Sequence, residues 1–264
     1  MSAPTPLGHD DLHRHFTALG LAPGATVVVH ASLSAFGSID GGAATVVAAL
    51  RSAVGARGTL VVPTFTPHIS DPHPHRPLAD DQVADERAAV PLFTDVTPTP
   101  MGAVPNALLA VPGRLRGRHP QASVAALGPQ AGEITRGQPY NEALGADSPF
   151  ARMYRLEAYI LLLGVGHNRN SFLHYAETLT TRPRRKTRRF PAVLDGERVW
   201  VEAADAGDDN GRFFPRVGEE AERAGLVTRR AIGAAECLLM PSRPFTDFAA
   251  ERLEALLAPV EAVA

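Results

Sequence analysis

Hydrophobic positions along this chain follow two periods, and the alternation between them predicts a succession of helices and strands. Over residues 10–20, Leu12, Phe16 and Leu19 fall on one helical face, with Asp10 or Asp11 placed to cap the start and Gly20 to stop it. The β-branched run Thr26-Val-Val-Val-His30 predicts a buried strand, entered from Pro23-Gly24. It ends in Ala31-Ser-Leu-Ser-Ala-Phe-Gly37, small residues suited to close backbone approach. A helix follows over 45–53, then a second strand over 58–62 closed by Pro63. Strand, loop, helix and strand in so short a stretch make a βαβ unit, which implies parallel pairing.

Residues 64–100 break the pattern. Prolines at 67, 72, 74, 77, 91, 98 and 100 and scattered acids predict a long excursion with at most one short helix, and excursions of that length inside compact domains usually serve function. Regular elements resume with helices over 101–109 and 129–136, strands over 124–127 and 160–163, and a helix over 170–179 after a glycine turn. The tail predicts a hairpin turn at Asp195-Gly196, a strand through Val199-Trp-Val201, a helix over 218–224, a strand over 236–240 and a last helix over 247–257. No internal repeat or clean linker interrupts the series. The expectation is one α/β body, residues 1–264 as a single domain or as two intimately packed subdomains. Its sheet is mixed and partly parallel, flanked by helices, with long inserted loops.

Composition narrows the class. At 264 residues the chain buries enough apolar surface to fold without disulfides or a structural metal. Its one cysteine, Cys237, excludes an internal disulfide and a Cys-rich zinc site, and a reducing, cytoplasmic location fits. The Pro-rich, polar opening over residues 1–10 lacks the basic and apolar regions of a signal peptide. The longest apolar runs fall far short of the roughly 20 residues that a membrane span needs. A net charge of −2 argues against nucleic acid as a partner. That charge is unevenly spread: residues 182–189 hold six cations, read first as a solvated face, and residues 205–209 hold three aspartates.

Histidines and carboxylates supply the candidate chemistry. His174 and Glu177 are three apart on an expected helix and share a face, just after a strand and glycine turn where α/β folds commonly place catalytic groups. A histidine near neutral pKa can take a proton from an amine when an acid orients it. His68, His73 and His75 beside Asp71 have a spacing open to zinc, but no regular element holds them, and no metal is expected. Gly41-Gly42 ahead of a helix is a generic phosphate-friendly start, without the lysine of a Walker A loop. No Gly-x-Ser-x-Gly elbow occurs.

Taken in order, several segments resemble the aminoglycoside 3-N-acetyltransferase family, the antibiotic N-acetyltransferase fold rather than the GNAT fold. They are His30-Ala-Ser-Leu-Ser-Ala-Phe-Gly37 through Gly42, Gly58-Thr-Leu-Val-Val-Pro-Thr-Phe-Thr66, and Thr97-Pro-Thr-Pro-Met-Gly-Ala-Val-Pro105 to Pro112-Gly113. Arg118-His-Pro-Gln-Ala-Ser123, Ser148-Pro-Phe150, Leu161-Leu-Leu-Gly-Val-Gly-His167 and His174-Tyr-Ala-Glu177 follow, with a weaker match at Asp195-Gly196 and Val199-Trp-Val201. The set spans residues from about 10 to about 250.

The resemblance implies acetyl transfer from acetyl-CoA to an amine, the 3-amino group of a 2-deoxystreptamine ring, conferring resistance or self-protection. It casts His174 as the base that deprotonates the acceptor for direct attack on the thioester. Glu177 would help shape the acceptor site or its hydrogen-bond network, and Asp205 or Asp208 would orient the histidine. His30, Ser32, Ser34, Phe36, Gly37 and Thr64 would meet the cofactor's arm, and Arg118, His119 and Ser123 its polar end. A polycationic acceptor calls for carboxylates, which Asp71, Asp95, Asp147, Glu177 and the cluster of Asp205, Asp208 and Asp209 could supply. CoA phosphates call for cations, from Arg118 and part of the 182–189 run. The unusual His and Pro content of residues 64–95 and the sparse acidity of Ala203-Ala-Asp-Ala-Gly both fall on the acceptor side. Another small-molecule amine as acceptor, a hydrolase built on the His68, His73 and His75 loop, and a non-catalytic CoA-binding protein are the alternatives.

Overall fold

A computed structural model describes residues 5–258; the first four residues of the Pro-rich opening lie outside it. Helix α1 (His9–Leu19) buries Leu12, Phe16 and Leu19 and ends on Gly20 at φ 114°. Strand β1 (Thr26–Ala31), helix α2 (Gly42–Val54) and strand β2 (Thr59–Pro63) form the expected βαβ unit, β1 and β2 pairing in parallel. The excursion carries one short helix, α3 (Ala84–Ala89), before α4 (Ala103–Leu109). Then come β3 (Leu115–Arg116), β4 (Val124–Leu127), α5 (Ala131–Thr135), α6 (Pro149–Arg155), β5 (Tyr159–Leu163) and α7 (Phe172–Thr178). A long hairpin of β6 (Arg185–Leu194) and β7 (Glu197–Ala206) precedes α8 (Phe214–Arg223), β8 (Thr228–Ile232), β9 (Ala235–Pro241) and α9 (Ser242–Leu257).

Seven strands make one mixed sheet in the order β3-β4-β2-β1-β5-β9-β8. Strand β1 is parallel to both neighbours, β2 and β5, while β4 and β9 run antiparallel outside them. The central strands read as unbroken apolar runs because both faces are covered. Val28, Val61, Ile160 and Leu162 pack with Phe150, Phe172 and Phe245 of α6, α7 and α9. Val27, Val29, Leu60, Val62, Leu161 and Leu163 pack on the other side with Leu12, Phe16 and Leu50 of α1 and α2. Among the described residues no helix is long and apolar enough to cross a membrane.

Two elements escape the sequence pattern. Helix α6 is short, begins at Ser148, whose hydroxyl accepts from the Ala151 N–H at 3.1 Å, and is buried through Arg152, so it shows no polar face. Strand β8, Thr-Arg-Arg-Ala-Ile, is exposed over its first four residues at the sheet edge and lacks apolar alternation. Charged side chains on an edge strand discourage further pairing there.

The basic run 182–189 is not a plain solvated face. Most of it is strand β6, paired with β7 across the Asp195-Gly196 turn, where both residues take positive φ (51° and 86°). Strand alternation therefore sends Arg184, Lys186 and Arg188 to one side and Arg185 and Arg189 to the other. Nor does the excursion hang free. Arg87 and Asp71, both almost fully buried, form a bidentate pair with two contacts of 2.9 Å, and the Arg87 guanidinium also donates to four backbone carbonyls of residues 73–78.

Candidate active site

Strand β1 has β2 on one side and β5 on the other, so the chain runs outward from β1 in both directions. Crevices beyond the carboxyl ends of such strands are where open α/β sheets hold ligands. Here a cleft of about 1020 Å³ opens at that point, lined by His30, Ser32, Ser34 and Gly37 after β1, Met101 ahead of α4, and Gly166 and Ser171 after β5. The Ser32 N–H donates to the Leu163 carbonyl at 2.9 Å, tying the two loops together. Gly164 makes that approach feasible: at φ 65°, a Cβ there would stand 2.4 Å from the Ala35 Cβ. The 13-residue helix α2 starts at the cleft with Gly41 and Gly42 in left-handed conformation, and its free N–H groups favour an anion.

His174 sits on α7 one turn after Ser171, to whose carbonyl its N–H donates at 3.2 Å. Ser171 lines the cleft, and three residues apart the two share a helix face, so the histidine stands one turn from that lining. Its ring is edge-on to Phe214, and its Nδ1 is enclosed without a hydrogen-bond partner. Burial holds its pKa below the ordinary histidine value, against the opposing pull of Glu177 and, more weakly, Asp205 and Asp208. The imidazole is therefore neutral at pH 7 and free to accept a proton.

Around it the hairpin supplies both signs of charge. Glu177 is fully buried and takes three bonds from Arg184: the backbone N–H at 2.7 Å and Nε at 2.8 Å on Oε1, and Nη2 at 2.7 Å on Oε2. That arrangement makes Glu177 part of a hydrogen-bond network that anchors the hairpin to α7. Asp209 accepts from the Phe213 and Phe214 N–H groups at the start of α8 and from Arg184 at 2.9 Å, so its carboxylate is already engaged by the protein. Asp205, on β7, accepts from Arg188 Nε at 2.9 Å through Oδ2, and its buried Oδ1 has no partner. Asp208 pairs with Lys186; burial raises its pKa, but Lys186 and Arg188 outweigh this and hold it low.

Other expected residues lie elsewhere. Thr64 and Ser123 are fully buried, bonded to each other at 3.0 Å and to Arg116, and do not line the cleft. Phe36 is core, packed among the side chains of α1 and α2. His119 accepts the Gln121 and Ala122 N–H groups on Nδ1, and burial takes its pKa to about 4. Arg118 borders a separate groove of about 920 Å³. Asp71 is consumed by Arg87, and Asp95 pairs with Arg114 at the surface. Asp147 is exposed. His73 Nε2 meets Glu86 at 2.7 Å, and among the described residues no three His, Cys, Asp or Glu side chains converge to hold a metal. Within the 182–189 run, Arg184, Arg185, Lys186, Arg188 and Arg189 each meet a carboxylate.

Sequence reasoning missed Arg184, Lys186, Arg188 and Phe214. The first three were findable, since even-numbered cations ahead of an Asp-Gly turn must share one strand face. Phe214 was not, because a single aromatic residue before a helix has no distinguishing spacing.

The chain is similar over most of its length to known proteins. The family model described as aminoglycoside 3-N-acetyltransferase matches residues 28–254. Aminoglycoside N(3)-acetyltransferase VII of Streptomyces paromomycinus is 35% identical, over 94% of this chain and 92% of its own. The crystal structure of aminoglycoside acetyltransferase AAC(3)-Xa superposes with a TM-score of 0.87 at 33% identity, covering 96% and 94% of the two chains. The structure of AAC-IIIb in binary complex with CoASH gives 0.86 at 27% identity, covering 98% and 100%. By the extent of these matches the chain is an acyltransferase that belongs to the aminoglycoside 3-N-acetyltransferase family.

Proposed function

We propose that the protein transfers the acetyl group of acetyl-CoA to an amine of an aminoglycoside, the 3-amino group of a 2-deoxystreptamine ring, with His174 as general base. The observation that carries this reading is the neutral, half-buried His174 imidazole on the helix face beside the cleft, with the Asp205 carboxylate nearby. The cleft suits the pantetheine arm of acetyl-CoA: its glycines remove the side chains that would fill it, and the start of α2 offers N–H groups to a phosphate. Acetyl-CoA supplies the thioester; as the amine nitrogen bonds to the acetyl carbon, the C–S bond breaks.

His174 takes the proton that the amine nitrogen gives up, through Nε2, and returns one to the departing thiolate. Asp205 Oδ1 and His174 Nδ1, each buried without a partner, would pair directly or through one water, which fixes the tautomer and stabilises the imidazolium. Backbone N–H groups of the 31–37 turn other than those of Ser32 and Ala35, which already donate to carbonyls, would receive charge developing on the thioester oxygen. Resistance or self-protection would be the biological outcome, in the cytoplasm where acetyl-CoA is made.

A second reading keeps this mechanism with a less highly charged amine as acceptor. The presence of Arg184, Lys186 and Arg188 among the carboxylates beside His174 favours it. The deciding experiment is CoA release from acetyl-CoA across a panel of aminoglycosides and simple amines, with NMR mapping of the product. His174→Ala should lower turnover about 10²–10⁴-fold while acetyl-CoA binding persists. Undiminished activity of that variant near pH 7.5 would refute the base assignment.

A further inference from the structure

Four carboxylates meet the cations Arg184, Lys186 and Arg188 of the hairpin, and the strand register decides how each is neutralised. Lys186 on β6 lies opposite Asp205 on β7, and Arg184 and Arg188 flank it on the same strand face. Three of the carboxylates are inaccessible: the side chains of Glu177, Asp205 and Asp209 are 0%, 2% and 4% exposed and are held by arginines. The fourth differs. Asp208 is 48% exposed and its near partner Lys186 is 40% exposed, while Arg188 stands farther off, at 3.9 Å. Asp208 nevertheless belongs to the site, since its backbone carbonyl accepts from Arg184, which also holds Glu177 one helical turn from His174.

We propose that Lys186 is a built-in competitor of the acceptor: its ammonium occupies the Asp208 carboxylate that an ammonium group of the substrate must take. This rests on the reading of the protein as an acetyltransferase of cationic amines, and it names the residue that sets selectivity among them. The chemistry is an exchange of like for like. A primary ammonium on a flexible four-carbon stem is replaced by a primary ammonium of the ligand, which a planar, bidentate arginine would not permit so readily. An exposed pair of this kind contributes little to stability, so displacing it is cheap but not free. Each added ammonium on the acceptor gains less here than beside a bare carboxylate.

Calorimetric titration of aminoglycosides bearing different numbers of amines, into wild type and Lys186→Gln, tests this without depending on turnover. The substitution should tighten binding of a polyamine about threefold to fivefold, less for a monoamine, and the gain should shrink as salt rises. The same change should appear in the acceptor KM and not in the KM for acetyl-CoA. In an Asp208→Asn background, Lys186→Gln should give no gain, and Lys186→Arg should bind no more tightly than wild type. Unchanged or weaker binding by Lys186→Gln, or a gain that survives Asp208→Asn, overturns the proposal. An aminoglycoside that binds but is never acetylated would defeat the acetyl-transfer reading alone, with the Kd ratio still deciding Lys186. If no aminoglycoside binds wild type, both fail.

Discussion

The imidazole of His174 and the ring of Phe214 meet edge to face, with centroids 4.8 Å apart and planes at 76°. The contact ties the chemistry of α7 to the first turn of α8. It also accounts for part of the burial that depresses the histidine's pKa. Phe214→Leu keeps an apolar side chain there, at a stability cost of about 1–1.5 kcal/mol, but opens one wall around the imidazole. The acid limb of the kcat/KM profile should then move to higher pH, toward the ordinary histidine value. A limb that stays in place while turnover falls would mean that Phe214 does not control the protonation of His174.

Asp71 and Arg87 are a structural pair, and the distinction from acceptor binding is measurable. Asp71→Asn leaves a buried guanidinium without its counter-charge, which costs about 3–5 kcal/mol. Urea denaturation should show that loss, while the acceptor KM of the folded fraction should stay at its wild-type value. A raised KM with little loss of stability would return Asp71 to the acceptor site.

Gly164 is required by the contact between the two loops of the cleft. Gly164→Ala sets a methyl against the Ala35 Cβ and strains a backbone at φ 65°. The KM for acetyl-CoA should rise roughly tenfold, equivalent to about 1.4 kcal/mol. Adding Ala35→Gly, which removes the atom in the way, should recover part of it. Failure of the double variant to improve on the single one would place the defect in backbone strain alone.

Acid should unfold the protein through its buried histidines. Burial takes His30 to about 3 and His119 to about 4, whereas an unfolded histidine titrates near 6.5. Below that pH the unfolded chain binds protons that the folded chain refuses, so stability falls as pH falls. Each of the two removes roughly 1.4 kcal/mol per pH unit until its folded value is reached, or on the order of 4 kcal/mol together between about pH 7 and about pH 5. His119→Asn should flatten the pH dependence of urea-derived stability by one histidine's share. An unchanged slope would show that His119 is protonated in the folded state.

Much was legible in the residues alone because it is local. The period of Leu12, Phe16 and Leu19, the unbroken run Thr26–His30 and the turn pair Asp195-Gly196 each specify an element through its own side chains. The ordered motifs from His30 to Glu177 likewise pointed to the family, since the small loop residues and the His174 segment stand in sequence without any need of contacts. Charge pairing was not legible, because it joins residues far apart in the chain. Nothing in the spacing of Glu177, Arg184 and Asp209, or of Asp71 and Arg87, says that these carboxylates are already satisfied. The sequence thus determined the sheet, the cleft-forming loops and the candidate base. Only the packing of the β6–β7 hairpin against α7 decided which acids remain available to a ligand, because burial and counter-charge are properties of the assembled surface.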